Sequence, residues 1–267
     1  MTEPDVPDNP KAFSMRQWIA HLDKTGRLSK TKTGVPLDFT LAAISKKLDG
    51  RQATLFPKPD GHETSVISGI VSRREWIAEA IGVKEDQLLK RFRDAVNNPI
   101  PWREIENAPA QDVQYMENID LNHLLPIPVH NEHDNGKYIT AGLVIARNPK
   151  TGDQNVSINR LQISGKDRLG VLILPRDLHK FFDMAEKTGT DLSVAIAIGV
   201  DPITLLASQA IVPTNTDELM ISGGLMKQSL KVVKCLTNDV RVPANSEVII
   251  EGRLLANLRE MEGPFGE

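Results

Sequence analysis

Apolar residues recur along this chain with two different periods, and the change from one to the other divides it. Met15, Trp18, Ile19 and Leu22 fall three to four apart, the spacing of a helix with one buried stripe, with Ser14 as N-cap and Gly26 just past the end. Asp38–Leu48 has the same character and stops at Gly50; short β-type runs follow at Ala53–Phe56 and Ser65–Ser72. Two more helical stretches, Arg74–Ile81 and Glu85–Val96, complete the first part. Then NNPIPWREIENAPAQD carries three prolines and no period, which predicts a boundary near residues 97–112.

Beyond it the runs are strand-length: Tyr138–Arg147, Asn155–Ser164, Leu169–Leu174 and Leu192–Val200. The turn sequences NPKTGD and SGKDR separate the first three and predict an antiparallel meander. Helical patterns intervene at Arg176–Lys187, Pro202–Ile211 and Asp217–Leu225, and strands close the chain at Leu230–Leu236 and Glu247–Leu254. The expected fold class is mixed α+β. After a loose arm over 1–13, an N-terminal α/β domain spans 14–110, and a second domain, 111–267, is built on a small barrel or curved sheet.

Composition narrows the function classes. Apolar residues make up 40% of 267, and the 18 glycines bring the total to roughly 47%, a globular value that rules out a disordered chain. A net charge of −3 advertises no basic face, so nucleic acid is a poor partner. The longest apolar runs are far short of a membrane span, and the acidic, proline-bearing start is no signal peptide. A single cysteine, Cys235, excludes an intrachain disulfide and makes a cytoplasmic setting the default.

Common motifs for phosphate loops, dinucleotide folds, serine hydrolases and zinc proteases are absent. His130 and His133 have metal-like spacing, but HNEHDNGK reads as a solvated turn before a strand, and Cys235 in VVKCL reads as a small core residue. Two segments stand out. In EMEGPFGE, glycines and proline constrain the path between Glu262 and Glu267, so two carboxylates can be aimed at one point, although an acidic surface turn is the plainer reading. In NVSINR, Asn155 and Arg160 are five apart, which puts them on opposite faces of a regular strand unless a bulge or twist intervenes.

In order, these pieces resemble the UbiD family of decarboxylases, which use prenylated FMN. The resemblance rests on LPIPVHNEHDNGKYITAG (125–142), NVSINRLQISGKDRLGV (155–171), DELMISGGL (217–225) and VPANSEVIIEG followed by EGPFGE. It implies that the second domain is a split β-barrel flavin-binding domain. It also implies that Asn155, His179 and Glu218 hold a divalent metal, usually Mn²⁺, alone or with a monovalent cation such as K⁺, which bridges to the flavin phosphate. Oxygen ligands with one imidazole suit such an ion. Ile158, Asn159, Arg160, Leu172, Ile173 and Leu174 line the flavin in this resemblance. Arg160, Glu262 and Glu267 take the catalytic places: Arg160 pairs with Glu262, and Glu267 donates the proton.

The implied chemistry is non-oxidative, reversible decarboxylation of an aromatic or α,β-unsaturated carboxylic acid. Loss of CO₂ from an sp² carbon leaves an electron pair that a cofactor must accept. A prenyl-flavin synthase would supply that cofactor. Family members run nearly twice this length, so the chain corresponds to an N-terminal portion with the C-terminal domain absent, and the full-length form is expected to be a homo-oligomer. The alternative is a flavin-binding module that is inactive without that other half.

Overall fold

The computed structural model describes residues 13–214 and 216–266. The expected arm, apart from Phe13, lies outside them. Helix α1 (Met15–Lys24) starts at Ser14, whose hydroxyl accepts a hydrogen bond from the Gln17 amide, and buries Trp18 and Leu22. Strand β1 (Leu28–Lys30) follows, then α2 (Thr40–Leu48), β2 (Ala53–Phe56) and β3 (Val66–Ser68). These three strands form one sheet, with β2 central, parallel to β1 and antiparallel to β3. Helices α3 (Arg74–Ile81) and α4 (Leu88–Asn97) come next, α4 preceded by a single 3-10 turn at Glu85–Gln87. β1 has no counterpart among the expected elements, because three residues, Leu-Ser-Lys, cannot display a period.

The rest of the chain runs β4 (Arg103–Glu104), α5 (Leu121–Leu124), β5 (Tyr138–Ile139), β6 (Leu143–Arg147), β7 (Gln154–Ile158), β8 (Leu161–Ile163), β9 (Leu169–Val171) and α6 (Asp177–Glu186). It continues with β10 (Leu192–Ile198), α7 (Pro202–Ala207), α8 (Glu218–Met226), β11 (Lys231–Lys234), β12 (Arg241–Pro243) and β13 (Val248–Leu254). An antiparallel sheet has the order β13-β10-β6-β7, a second has β5-β8-β9, and a third has β12-β11-β4.

The expected meander is one long hairpin shared between two sheets. Its straight part pairs β6 with β7 from Leu143↔Ile158 to Arg147↔Gln154. Its tip-distal part pairs β5 with β8 through Tyr138↔Gln162 and Ile139↔Leu161. The bend falls at 140–142 on one strand and at 159–160 on the other. Gly142 makes this possible, because a Cβ there would lie 2.8 Å from Ile196 Cγ2 on β10. β9 ends at Val171 rather than Leu174 because its partner ends too: Val171 pairs with Leu161, the first residue after the bend. α7 stops at Ala207 rather than Ile211, with Ser208 as its C-cap.

The largest core cluster joins Ala78, Ile81, Leu88 and Ala95 of α3 and α4 to Leu143, Ile145, Ala195 and Ala197 of the β13-β10-β6-β7 sheet. The expected boundary at 97–112 is therefore no gap in the packing, and β4 within it pairs in parallel with β11. A second cluster fills the other side of the sheet with Leu178, Phe181 and Phe182 of α6. Cys235 is buried in the first cluster, and burial pushes its thiol well above the usual range.

Helix α8 lies close against α4 and the residues just after it because two glycines stand at the contact, Gly224 against α4 and Gly223 against Ile100. A Cβ on Gly223 would sit 2.5 Å from the Ile100 carbonyl oxygen, and one on Gly224 would sit 2.9 Å from that of Ala95. In an open helix Gly→Ala stabilises by about 1 kcal/mol. Here Gly223→Ala is expected to destabilise by about 1–3 kcal/mol through overpacking against backbone. A denaturant melt that shows a gain in midpoint would contradict this close approach.

Candidate active site

β7 presents Asn155 to the start of α8, where Glu218 is the first helical residue. Both are buried, Glu218 to 4% exposure. Asn155 Nδ2 donates to Glu218 Oε1 at 3.0 Å, and the Val156 amide donates to Oε2 at 2.8 Å. Asp217, also buried, caps the helix by accepting from the Leu219 amide at 2.8 Å and takes the Trp102 indole N–H at 2.7 Å. Burial, with Asp217 alongside, pushes the Glu218 carboxyl up to about 8, and burial also raises Asp217. Two adjacent acids are thus out of water and destabilised as anions.

His179 lies on α6, and its half-exposed ring pairs with Asp183 one turn on, Nδ1 to Oδ2 at 3.3 Å. Among the described residues no three His, Cys, Asp or Glu side chains gather as a metal site. The structure brings Asn155 and Glu218 into contact, while His179 has its recorded ion pair within its own helix.

Arg160 stands at the bend of the hairpin, between β7 and β8. This break in the strand is what frees it from the alternation that starts at Asn155. Its guanidinium grips Glu262 as a fork: Nε lies 3.0 Å from Oε1 and Nη2 lies 2.8 Å from Oε2. The Glu262 side chain is 9% exposed and that of Arg160 23%. The same guanidinium lies 5.3 Å from the Phe265 ring centroid, and Phe265 packs on Tyr138 with centroids 4.7 Å apart. Glu267 lies outside the described residues.

Of the flavin-lining set, Ile158 packs against the main core and Asn159 Nδ2 donates to Ser157 Oγ at 2.9 Å. Ile173 packs against the second cluster, whereas Leu172 and Leu174 are exposed. Ile158, Asn159 and Arg160 thus share one bend.

The sequence reading left out the groups that surround Glu262. HNEHDNGK keeps Glu132 and His133 in solvent, as a solvated turn would, while its half-buried Asp134 and exposed Asn135 hydrogen-bond to residues 263–266. Tyr138 and Gln162 join them. Polar residues packed two to a strand end carry no periodic signal, so only their position beside the resemblance could have pointed to them. Tyr138 also lines a mostly apolar cleft of about 620 Å³ between α2 and β3 on one side and β5 and β10 on the other. His130 stands on its wall with a buried, unpartnered Nδ1, and burial lowers the basicity of this imidazole.

With this geometry established, comparison with known proteins is decisive. Residues 103–267 match the 3-octaprenyl-4-hydroxybenzoate carboxy-lyase Rift-related domain, and residues 19–96 match the N-terminal domain of the same enzymes. The chain belongs to the UbiD family. It is 38% identical over 245 residues to an anhydromevalonate phosphate decarboxylase of Methanothermobacter thermautotrophicus, covering 91% of this chain and 56% of that one. It is 31% identical to a phenolic acid decarboxylase of Bacillus subtilis, over 94% of this chain and 56% of the other. Among solved structures it superposes on the UbiD-class enzyme HmfF of Pelotomaculum thermopropionicum, in an evolved dimeric form in complex with prFMN. The TM-score is 0.94 at 46% identity, covering 96% of this chain and 60% of HmfF. The mixed α/β architecture with several sheets is thus that of UbiD-class enzymes, and the chain spans a little over half the length of the relatives it matches. Among the described residues no helix is long and apolar enough to cross a membrane.

The ion pair gives a direct test. Arg160→Met leaves the Glu262 carboxylate shielded and uncompensated, which is expected to destabilise at the lower end of roughly 3–5 kcal/mol. The double change Arg160→Met with Glu262→Leu should recover most of that loss. A double variant no more stable than the single one, in urea unfolding, would mean that the fork does not hold the segment as described.

Proposed function

We propose that this chain forms the flavin- and metal-binding part of a prenylated-FMN-dependent decarboxylase acting reversibly on an aromatic or α,β-unsaturated carboxylic acid. The observation that carries the reading is the conjunction, on one bent strand pair, of a buried amide–carboxylate pair on β7 and an Arg–Glu fork at the bend. Family membership and the likeness to HmfF with prFMN support the cofactor.

The donor set fits a divalent cation. Glu218 is a carboxylate held near Asn155 in a place where its charge is opposed by burial and by a second acid, and a bound cation would relieve that opposition. Asn155 and Glu218 would hold Mn²⁺, with His179 as a third ligand if its ring leaves Asp183. The cation would take up the charge of a flavin phosphate, for which this chain has no glycine-rich phosphate loop. Prenylated FMN, when bound, supplies the sink for the electron pair left by CO₂.

The remaining work falls to this chain's own groups. Arg160 holds Glu262 in place through two parallel charge-assisted hydrogen bonds. The pair then offers fixed charge and hydrogen bonds beside the bend, where Ile158 and Asn159 would meet the ring system. Glu267 would carry the proton to the carbon that has lost CO₂. An acid shielded from water next to a second carboxylate has its proton affinity raised, which keeps it a donor near neutral pH.

Three measurements test this. In the full-length protein loaded with prenylated FMN, Glu267→Gln should retain flavin and lose turnover by about 100–10,000-fold, the usual contribution of a general acid. Turnover near wild type in that variant removes Glu267 from the role. Glu218→Ala should weaken metal and flavin together by at least about 10–100-fold; stoichiometric retention of both would defeat the metal assignment. pH supplies the third. The folded-state pKa of Glu218 is raised, so between about pH 4.5 and 8 the folded chain keeps a proton that the unfolded chain has released. This group's contribution to metal-free stability is complete below that window and is lost as pH rises through it. Melting temperatures with and without Mn²⁺ should therefore diverge more at pH 8 than at pH 5, and equal gains at both would count against a cation on Glu218.

A further inference from the structure

We infer that the loop at residues 129–135 is a positioning clamp for the acid segment 262–266, with Asp134 and Asn135 as its positioning residues. The kinetic consequence rests on the decarboxylase reading above, whereas the clamp itself rests on geometry alone.

Asp134 is shared between loop and segment. Its Oδ2 accepts from the Asn131 amide at 3.0 Å, closing the loop, and its Oδ1 accepts from the Gly266 amide at 2.6 Å. Asn135 spans the next two residues: its backbone N–H donates to Pro264 O at 2.8 Å and its Nδ2 donates to Gly263 O at 3.1 Å. The Tyr138 hydroxyl donates to the same Pro264 oxygen at 3.2 Å. Gln162, on β8, ties both sides, donating to Asn135 O and accepting from the Gly263 amide at 3.1 Å. The segment lies flat on the loop, since a Cβ on Gly266 would be 2.7 Å from Asn131 Cγ.

The loop in turn is anchored on the N-terminal unit. Val129 O accepts from the Phe39 amide at 3.0 Å, and Asp38 bridges to Val129 in parallel. Phe39 holds φ +60°, a left-handed value that a bulky side chain adopts only where its surroundings dictate it. A continuous path therefore runs from α2 through Phe39 and Val129 to Asp134 and the amide of Gly266.

A segment with glycine at 263 and 266 has no single path of its own. Arg160 fixes Glu262 at one end, and the Asp134 bond is the tether recorded at Gly266, the last residue before Glu267. None of the clamp contacts involves Asn155 or Glu218. Loosening the clamp should therefore disturb the acids and leave cation and flavin affinity alone, and a displacement of about 1 Å in such a group costs about 100-fold in rate.

The test uses full-length protein with Asp134→Ala, Asp134→Asn and Asn135→Ala. Hydrogen–deuterium exchange of the peptide covering 263–266 is measured together with Mn²⁺ and FMN affinity, kcat and KM. Asp134→Ala should accelerate exchange in that peptide and lower kcat about 10–100-fold, with KM and both affinities within about threefold of wild type. Asp134→Asn, which keeps an oxygen acceptor for Gly266, should restore most of kcat, and Asn135→Ala should behave like Asp134→Ala. Unchanged exchange overturns the clamp, and faster exchange with wild-type kcat overturns its positioning role. Loss of Mn²⁺ and FMN in step with kcat would assign these residues to general stability and also overturn it. If the wild-type enzyme releases no CO₂ from any acid, the decarboxylase reading fails, while the exchange measurement still decides the clamp.

Discussion

Everything at this site depends on a bend in one strand pair. Gly142, pressed against Ile196, lets one strand of the hairpin turn, and the break at Asn159–Arg160 turns the other. Before the bend, β7 is buried against α8 and delivers Asn155 to Glu218. After it, β8 belongs to another sheet, and Arg160 at the corner faces the chain's last described segment. A straight ladder would have put residues five apart on opposite faces of one sheet. The bend interrupts that alternation, and six consecutive residues serve both the Glu218 contact and the Glu262 fork.

The two groups solve opposite electrostatic problems. Glu262 is shielded yet paired by two charge-assisted hydrogen bonds, so its charge is compensated in place. Glu218 is shielded with neutral donors only among its recorded hydrogen bonds, and a second acid sits beside it. Desolvation of an anion without a counter-charge is unfavourable by several kcal/mol, and the Glu218 carboxyl accordingly holds its proton more tightly than one in water. Burial is common to both acids, and the partner decides what each can do.

Packing ties these groups to the rest of the chain. The helix that starts at Glu218 lies close to α4 through Gly224 and to Ile100, just beyond α4, through Gly223. Trp102, from the proline-rich stretch, hydrogen-bonds to the capping Asp217. On the other side the N-terminal unit reaches the acid segment through Phe39 and the 129–135 loop. The first hundred residues thus serve the site by fixing its supports.

Much of this was legible in the residues themselves. Arg74–Ile81 and Ala53–Phe56 appear as read, because a stripe at helical spacing or a β-branched run flanked by turn formers is decided locally. The order of NVSINR, DELM and EGPFGE carried the family, and the matches over residues 19–96 and 103–267 bear it out. Other features belong to the tertiary structure. β1, β4 and β12 have two or three residues each and exist only because a neighbouring strand completes their hydrogen bonds. Whether Asn155 and Arg160 share a face is set by a bend that β10 imposes through Ile196, far along the chain. Asn155 meets Glu218 across 63 positions and Arg160 meets Glu262 across 102. The bonding of Asp134 and Asn135 to residues 263–266 is invisible in HNEHDNGK, because a polar residue in a turn looks the same whether it faces water or a backbone amide. Sequence determined which chemical groups this chain carries and in what order. Folding decided which of them meet, because burial and pairing depend on residues that are remote in the chain.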